Sequence, residues 1–369
     1  MSRGRAARLA PILDRFQRGF DATARLAADP VEFPRRYPDA GDAEVAGLLA
    51  ACLAYGRADV FKPRIESVLR VAAPSPAAFA ARLARHPDAS SLAGFRYRFN
   101  TAEDVAALLA AAGWVRERHG SLGARFAGLL EETVAERTPA PLREALARFA
   151  AELRGSPPAL ALLAAAGWVR ERHGSLGARF AALLERTTAE RAKAPLREAL
   201  ARFAAELREA PPALELLADR GGRGLRHLCP DPRAGGAAKR WNLYLRWMVR
   251  GPDGVDLGLW PKVPTSALLV PLDTHVARVA RRLGLTRRRD LSWRTAEEVT
   301  SALRLADPGD PVRFDFALCH LGMSGHCPPR RDPERCATCR LADGCEAGAV
   351  SAPERRAARG SRSARAGRS

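Results

Sequence analysis

The chain has 369 residues, 47% of them hydrophobic and 27% charged, with a formal net charge of +19. That length supports two packed domains with sizeable cores, and no apolar run reaches membrane-spanning length. The opening "MSRGRAARLAPILDRFQRGF" is basic but interrupted by Pro11, Asp14 and Arg15, which argues against a signal peptide and predicts a cytoplasmic protein whose thiols stay reduced.

The positive charge is spread through the body, which points to a polyanionic partner, nucleic acid above all. An Ala/Arg-rich composition bias accounts for the same charge equally well. Only four lysines (Lys62, Lys193, Lys239, Lys262) stand beside 56 arginines. Of the two, only lysine readily sheds its proton to become a nucleophile.

In chain order, almost every segment reads as helix. "DAEVAGLLAACLAYG" starts at an acidic cap and carries Val45, Leu48, Leu49 and Cys52 at helical spacing. "RADVFKPRIESVLRVAA" continues as helix with a break expected at Pro63. No run alternates with period two over strand length, so the fold class expected is all-α. Residues 107–160 and 161–214 form a tandem duplication with period 54, differing at seven positions, among them Glu132 against Arg186 and Pro139 against Lys193. Solenoids need three or more units with divergent caps, so this is one duplicated helical segment. One copy is expected to fill the ancestral place and the other to add a lobe. His119 and His173 close helices and face the dipole. After the turn-rich "HLCPDPRAGG" comes a strong helix, "AAKRWNLYLRWMVR", then the Gly/Pro loop "GPDGVDLGLWPKVPTS" and the amphipathic "PLDTHVARVARRLGL". The expected divisions are 1–106, N-terminal helices; 107–214, the duplication; 215–320, a catalytic region; 321–348, a four-cysteine metal loop; and 349–369, a basic disordered tail.

Two residues have placements that suit chemistry. Asp273 sits where a helix starts and fills an N-cap, worth about 1 kcal/mol; backbone amides there would also hold an ionised carboxylate in fixed orientation. Lys239 opens the other helix, just past Gly235 and Gly236. A cation at a helix N-terminus opposes the dipole, and burial there would lower the lysine pKa toward a nucleophile's. The alternative is a lysine gripping phosphate beside a glycine turn.

"CPPRRDPERCATCRLADGC" places Cys327, Cys336, Cys339 and Cys345 at C-x8-C-x2-C-x5-C. Four thiolates suit zinc or an iron–sulfur cubane. Structural zinc usually shows two C-x2-C pairs; a single pair with unequal outer gaps favours iron–sulfur. Cys319 and Cys52 fall on apolar helix faces and are read as core.

"PLDTHVARVARRLGL", followed by a helix and then this cysteine loop, resembles the helix-hairpin-helix DNA glycosylase superfamily, its endonuclease III branch most closely. The resemblance implies that Asp273 is catalytic. It also implies that Lys239, with Asn242 three residues later, is the Schiff-base lysine of the bifunctional members, and that the four cysteines hold a [4Fe-4S] cluster, with zinc the alternative. It further implies a two-lobed all-α fold, double-stranded DNA as partner and a monomeric state. Gly235 and Gly236 of the hairpin, with Arg278, Arg330, Arg331, Arg335 and Arg340, would contact phosphates. The pattern departs in "DPRAGGAAK", where the hairpin glycines are adjacent, and in the longer first cysteine gap. The duplex-inserting glutamine has no counterpart in "LAYGRAD", where Tyr55 or Arg57 would stand in. "AAKRWNLYLRWMVR", "GVDLGLW" and "PLDTHVARVARRLGL" together also look like an uncharacterised bacterial family distantly related to those glycosylases, spanning roughly residues 30 to 330. The function implied is DNA base excision with abasic-site lyase activity. The rival is a non-catalytic nucleic-acid-binding protein that kept the fold.

Overall fold

The computed structural model describes residues 3–157 and 223–346, with Ala159, Arg186 and Glu190 besides. Most of the second repeat, including His173 and Lys193, and the basic tail lie outside the described residues. The chain divides into two units: residues 33–138 with 145–231, and residues 1–32 with 139–144 and 232–369. No described helix is long and apolar enough to cross a membrane.

In the first of these units helix α3 (Ala40–Leu53) is capped by Asp39, whose side chain accepts from the Asp42 amide at 2.9 Å; the cap lies three residues ahead of the expected Asp42. Helix α4 (Ala58–Val71) runs through Pro63 without the expected break. Its buried stripe of Phe61, Ile65, Val68 and Leu69 outweighs the roughly 3 kcal/mol that an interior proline costs. Helix α5 (Pro76–Arg85) meets α6 (Ala102–His119) so closely that a Cβ at Gly113 would fall 2.2 Å from the Ala80 carbonyl oxygen. A capping box between Thr101 and Asp104 starts α6, and Gly120 at φ +80° ends it. Buried Glu44 of α3 then serves α7 (Leu122–Ala135): it accepts from the Leu122 and Gly123 amides at 3.2 and 3.1 Å and pairs with Arg116 at 2.6 Å. The first repeat copy thus supplies core. On its surface Glu132 lies 3.5 Å from Arg125 and 4.0 Å from Arg148 of α8 (Pro141–Gly155). Helix α9 (Arg223–Leu228) completes the unit.

Among the described residues one element is not helical. Strands β1 (Arg96–Tyr97) and β2 (Asn100–Thr101) pair antiparallel as a hairpin. Two residues per strand are too few to register as alternation.

The other unit holds α1 (Arg3–Arg18), α10 (Lys239–Val249), α11 (Thr274–Arg282), α12 (Trp293–Arg304), α13 (Asp315–Met323) and the short α14 (Pro333–Ala337). Its core surrounds α10, where Trp241, Tyr244, Trp247 and Met248 are buried together with Arg246. The Arg246 side chain is 2% exposed and meets Asp256 at 3.2 Å and Asp315 at 2.5 Å. Arg250 follows one turn later, pairing with Asp256 at 2.5 Å and Asp310 at 2.9 Å. The Gly/Pro loop delivers Asp256 by lying back on α10, with the Leu257 and Trp260 amides donating to the Trp247 and Met248 carbonyls at 2.8 Å each.

The expected two-lobed helix-hairpin-helix glycosylase-like fold with a C-terminal iron–sulfur loop is not what the described residues form. The two helices flanking "CPDPRAGGA", α9 and α10, fall in different units. The glycine backbone is paired elsewhere: Gly236 bridges Ser292, and the Gly235 carbonyl accepts from the Trp293 amide at 3.0 Å.

Burial raises the Asp315 carboxyl to about 6, against the pull of Arg246. A carboxyl raised in the folded state contributes stability that is fully present below its unfolded value and lost as pH climbs through 6. Arg246→Met leaves Asp315 buried without its Arg246 partner and Asp256 with Arg250 only, and should cost about 3–5 kcal/mol at neutral pH. The cost should shrink at pH 5, where the Asp315 carboxyl takes up a proton. Urea denaturation at pH 5 and pH 8 checks both statements.

Candidate functional site

Asp273 is the N-cap of α11. Its Oδ1 accepts from the His275 and Val276 amides at 2.9 and 2.8 Å, which satisfies two helix-end donors and fixes the plane of the carboxylate. Both roles read from the sequence, cap and oriented carboxylate, are met by one geometry. The free Oδ2 faces Lys239 Nζ at 3.3 Å and accepts a hydrogen bond from the Cys319 thiol at 3.9 Å.

Lys239 is the first residue of α10. Gly235 at φ +92° and Ala238 at φ +47° turn the chain into that helix. The left-handed conformation is strained for alanine. Buried Asn242 holds it in place, its Nδ2 donating to the Ala237 carbonyl at 3.0 Å. The lysine side chain is 37% exposed and the aspartate 14%.

The lysine pKa runs opposite to the expected depression. Burial draws it down, but the Asp273 charge, with Asp29 adding to it, more than offsets burial and leaves it above the ordinary lysine value. At 3.3 Å a carboxylate outweighs both partial desolvation and a helix dipole. Burial, with the nearby Asp273 and Asp315 charges, pushes the Cys319 thiol well above its usual value, so it serves as a protonated donor. Reading Cys319 as core missed this. The available signal was its position four residues after Asp315 on the same helix face.

The predicted arginines divide by environment. Arg278 is committed within the fold: its Nε donates to the Cys327 carbonyl at 2.8 Å and its Nη2 to the Gly322 carbonyl at 2.7 Å. Arg335 donates to the Gly325 carbonyl at 2.9 Å, and Arg340 reaches the Gly19 carbonyl. Arg330 and Arg331 are exposed.

Cys327, Cys336, Cys339 and Cys345 line one pocket with Arg282, His326 and Ala342. They ring it as free thiols, two buried and two partly exposed. Among the described residues no group of three or more His, Cys, Asp or Glu side chains is disposed to hold a metal ion. This overturns the expected [4Fe-4S] cluster, the zinc alternative and the iron–sulfur loop. Burial raises the Cys327 and Cys339 thiols above their ordinary values. Arginine-to-carbonyl bonds fasten the segment instead. Arg282 Nη2 donates to the Pro328 and Pro329 carbonyls at 2.6 and 2.9 Å, and Arg5 to those of Leu283 and Gly344 at 2.8 and 3.2 Å.

A family model described as "Protein of unknown function (DUF2400)" matches residues 29–160 and 155–324. The chain belongs to that family. The two matched stretches meet at the junction of the repeats. Compared with curated proteins and with solved structures, the chain finds no match in either. The resemblance to the helix-hairpin-helix glycosylases, whose iron–sulfur branch it rested on, is withdrawn with the cluster, and with it the description as an iron–sulfur DNA-repair glycosylase.

Two measurements probe this region. Reductive 13C-methylation should give one Lys239 resonance that titrates above the ordinary lysine range, moving down in Asp273→Asn, where the amide still caps the helix but carries no charge. Arg282→Ala should speed labelling of Cys327 and Cys336 by Ellman's reagent, followed by mass spectrometry. An unchanged rate would show that the segment is held by other means.

Proposed function

We propose that Lys239 and Asp273 carry out base-excision chemistry on double-stranded DNA, with an abasic-site lyase step at deoxyribose C1′, and that the protein acts as a monomer in the cytoplasm. The observation that carries this reading is the 3.3 Å approach of Nζ to Oδ2, in a chain of formal charge +19. A damaged nucleotide leaves the stack for a few kcal/mol, less when its pairing is already weak. As the base departs, the oriented Asp273 carboxylate stabilises the oxocarbenium-like sugar, which water then captures at C1′ to give the abasic hemiacetal. In the lyase step the lysine proton passes to Asp273, the nearest acceptor. The neutral amine adds to C1′ and water leaves to give a Schiff base; loss of the C2′ proton then expels the 3′ phosphate by β-elimination.

The raised lysine pKa supports a second reading, in which the ammonium stays charged and grips a phosphate with no covalent step. Borohydride separates the two. Under the first reading, an abasic-site duplex and borohydride give a covalent adduct on a denaturing gel, lost in Lys239→Ala. Its yield rises steadily from pH 7 to pH 9 as the amine deprotonates. DNA binding weakened in Lys239→Ala, with no adduct and no base release across a broad lesion panel, leaves only the phosphate grip.

A further inference from the structure

The unit that holds α3 to α9 carries a second feature, at the tip of its hairpin. Pairing of Tyr97 with Asn100 leaves Arg98 and Phe99 as a two-residue turn. Arg98 adopts φ +54°, a left-handed conformation that two-residue hairpins normally reserve for glycine, asparagine or aspartate. The next residue, Phe99, is 46% exposed. Folding alone would favour the reverse: a small residue at the turn and the aromatic ring inside.

Behind this tip the structure is built. The Tyr55 ring lies 4.6 Å from Tyr97 and 4.7 Å from His227, and the Phe99 ring packs edge-on to His227 at 4.5 Å. Phe99 and Tyr55 are near parallel, 25° apart, with centroids 6.3 Å apart. The Arg98 guanidinium sits over Tyr55, 5.8 Å from the ring centroid. Hydrogen bonds lock the underside: the Tyr55 hydroxyl donates to Asn100 Oδ1 at 2.5 Å, the Tyr97 hydroxyl reaches the Tyr55 carbonyl, and Asn100 Nδ2 donates to the Gly224 carbonyl of α9 at 3.0 Å. Arg96, Arg98 and Arg226 are exposed, and residues 96–101 include no acid.

We propose that this tip is a stacking platform for an unpaired base of single-stranded DNA, with Phe99 as the ring that meets the base and Arg96 and Arg98 as the cations that hold its phosphates. An exposed ring with rigid backing offers a face to a base at low entropic cost, and cations beside it match the phosphates on either side. A duplex hides its base faces, so the platform distinguishes unpaired from paired DNA. The inference needs no chemistry at Lys239 and stands whether or not that residue forms an adduct.

The test uses the full chain and fluorescence anisotropy with a labelled DNA of about 12 nucleotides, single-stranded and fully paired, a length that covers one such site. Phe99→Ala should weaken single-strand binding about 5- to 100-fold, Phe99→Trp should keep it, and neither should change duplex binding. Arg98→Gly relieves the left-handed turn, so the melting temperature should hold or rise. Single-strand binding should nonetheless weaken, and the slope of log affinity against log salt should flatten by about 0.7 for each phosphate no longer neutralised. Unchanged single-strand affinity in Phe99→Ala, or an equal weakening on paired and unpaired DNA, overturns the proposal.

Discussion

A guanidinium taken out of water organises the unit that carries the candidate site. Arg246 meets Asp256 and Asp315 with almost no exposure, and Arg250 extends the network to Asp310. Three stretches that are distant in sequence are tied together: α10, the Gly/Pro loop behind it, and α13. Lys239 opens α10 and Cys319 lies on α13, so the spacing of the site is inherited from this network. Such a core adds little net stability over an apolar one, but it tolerates few alternative registers.

Lys239 and Asp273 show a compromise. The carboxylate that orients the amine also holds its proton. An amine set to attack at neutral pH needs a lowered pKa, and burial alone would supply one. Here the aspartate prevails. The resting pair is therefore an ion pair, and reaction requires the proton to move across that 3.3 Å gap before the nitrogen lone pair is available. The same resting state suits an anion grip without change, so one geometry serves both readings of the function.

The sequence made some of this legible because punctuation residues act locally. Asp273 reveals itself by capping, and Lys239 by following a glycine turn. Their meeting in space was suggested by resemblance and is a matter of tertiary packing. The cysteine spacing was misleading for the complementary reason: four cysteines can line one pocket without their side chains being disposed to hold a metal ion, and the backbone of the segment is held by Arg278 and Arg282, which act from another helix. Cys319 was hidden on an apolar face. The β1–β2 hairpin was too short to show a period, and the run through Pro63 depended on a buried stripe whose partners lie elsewhere in the chain. In each case the missing information was a meeting of residues far apart in sequence.

The duplication carries a last consequence, through Glu132. Two segments with nearly the same sequence compete for one place in the core, and apolar packing can hardly tell them apart, since the repeat is identical at those positions. Glu132 can. It lies between Arg125 and Arg148, whereas the aligned residue of the second copy is Arg186. Seated in that place, the second copy would set three arginines against one another. An exposed pair is worth at most about 1 kcal/mol, yet reversing its sign biases the choice between two otherwise interchangeable occupants. A single charge on the surface thus acts as an address label, telling one copy from its twin while the chain folds.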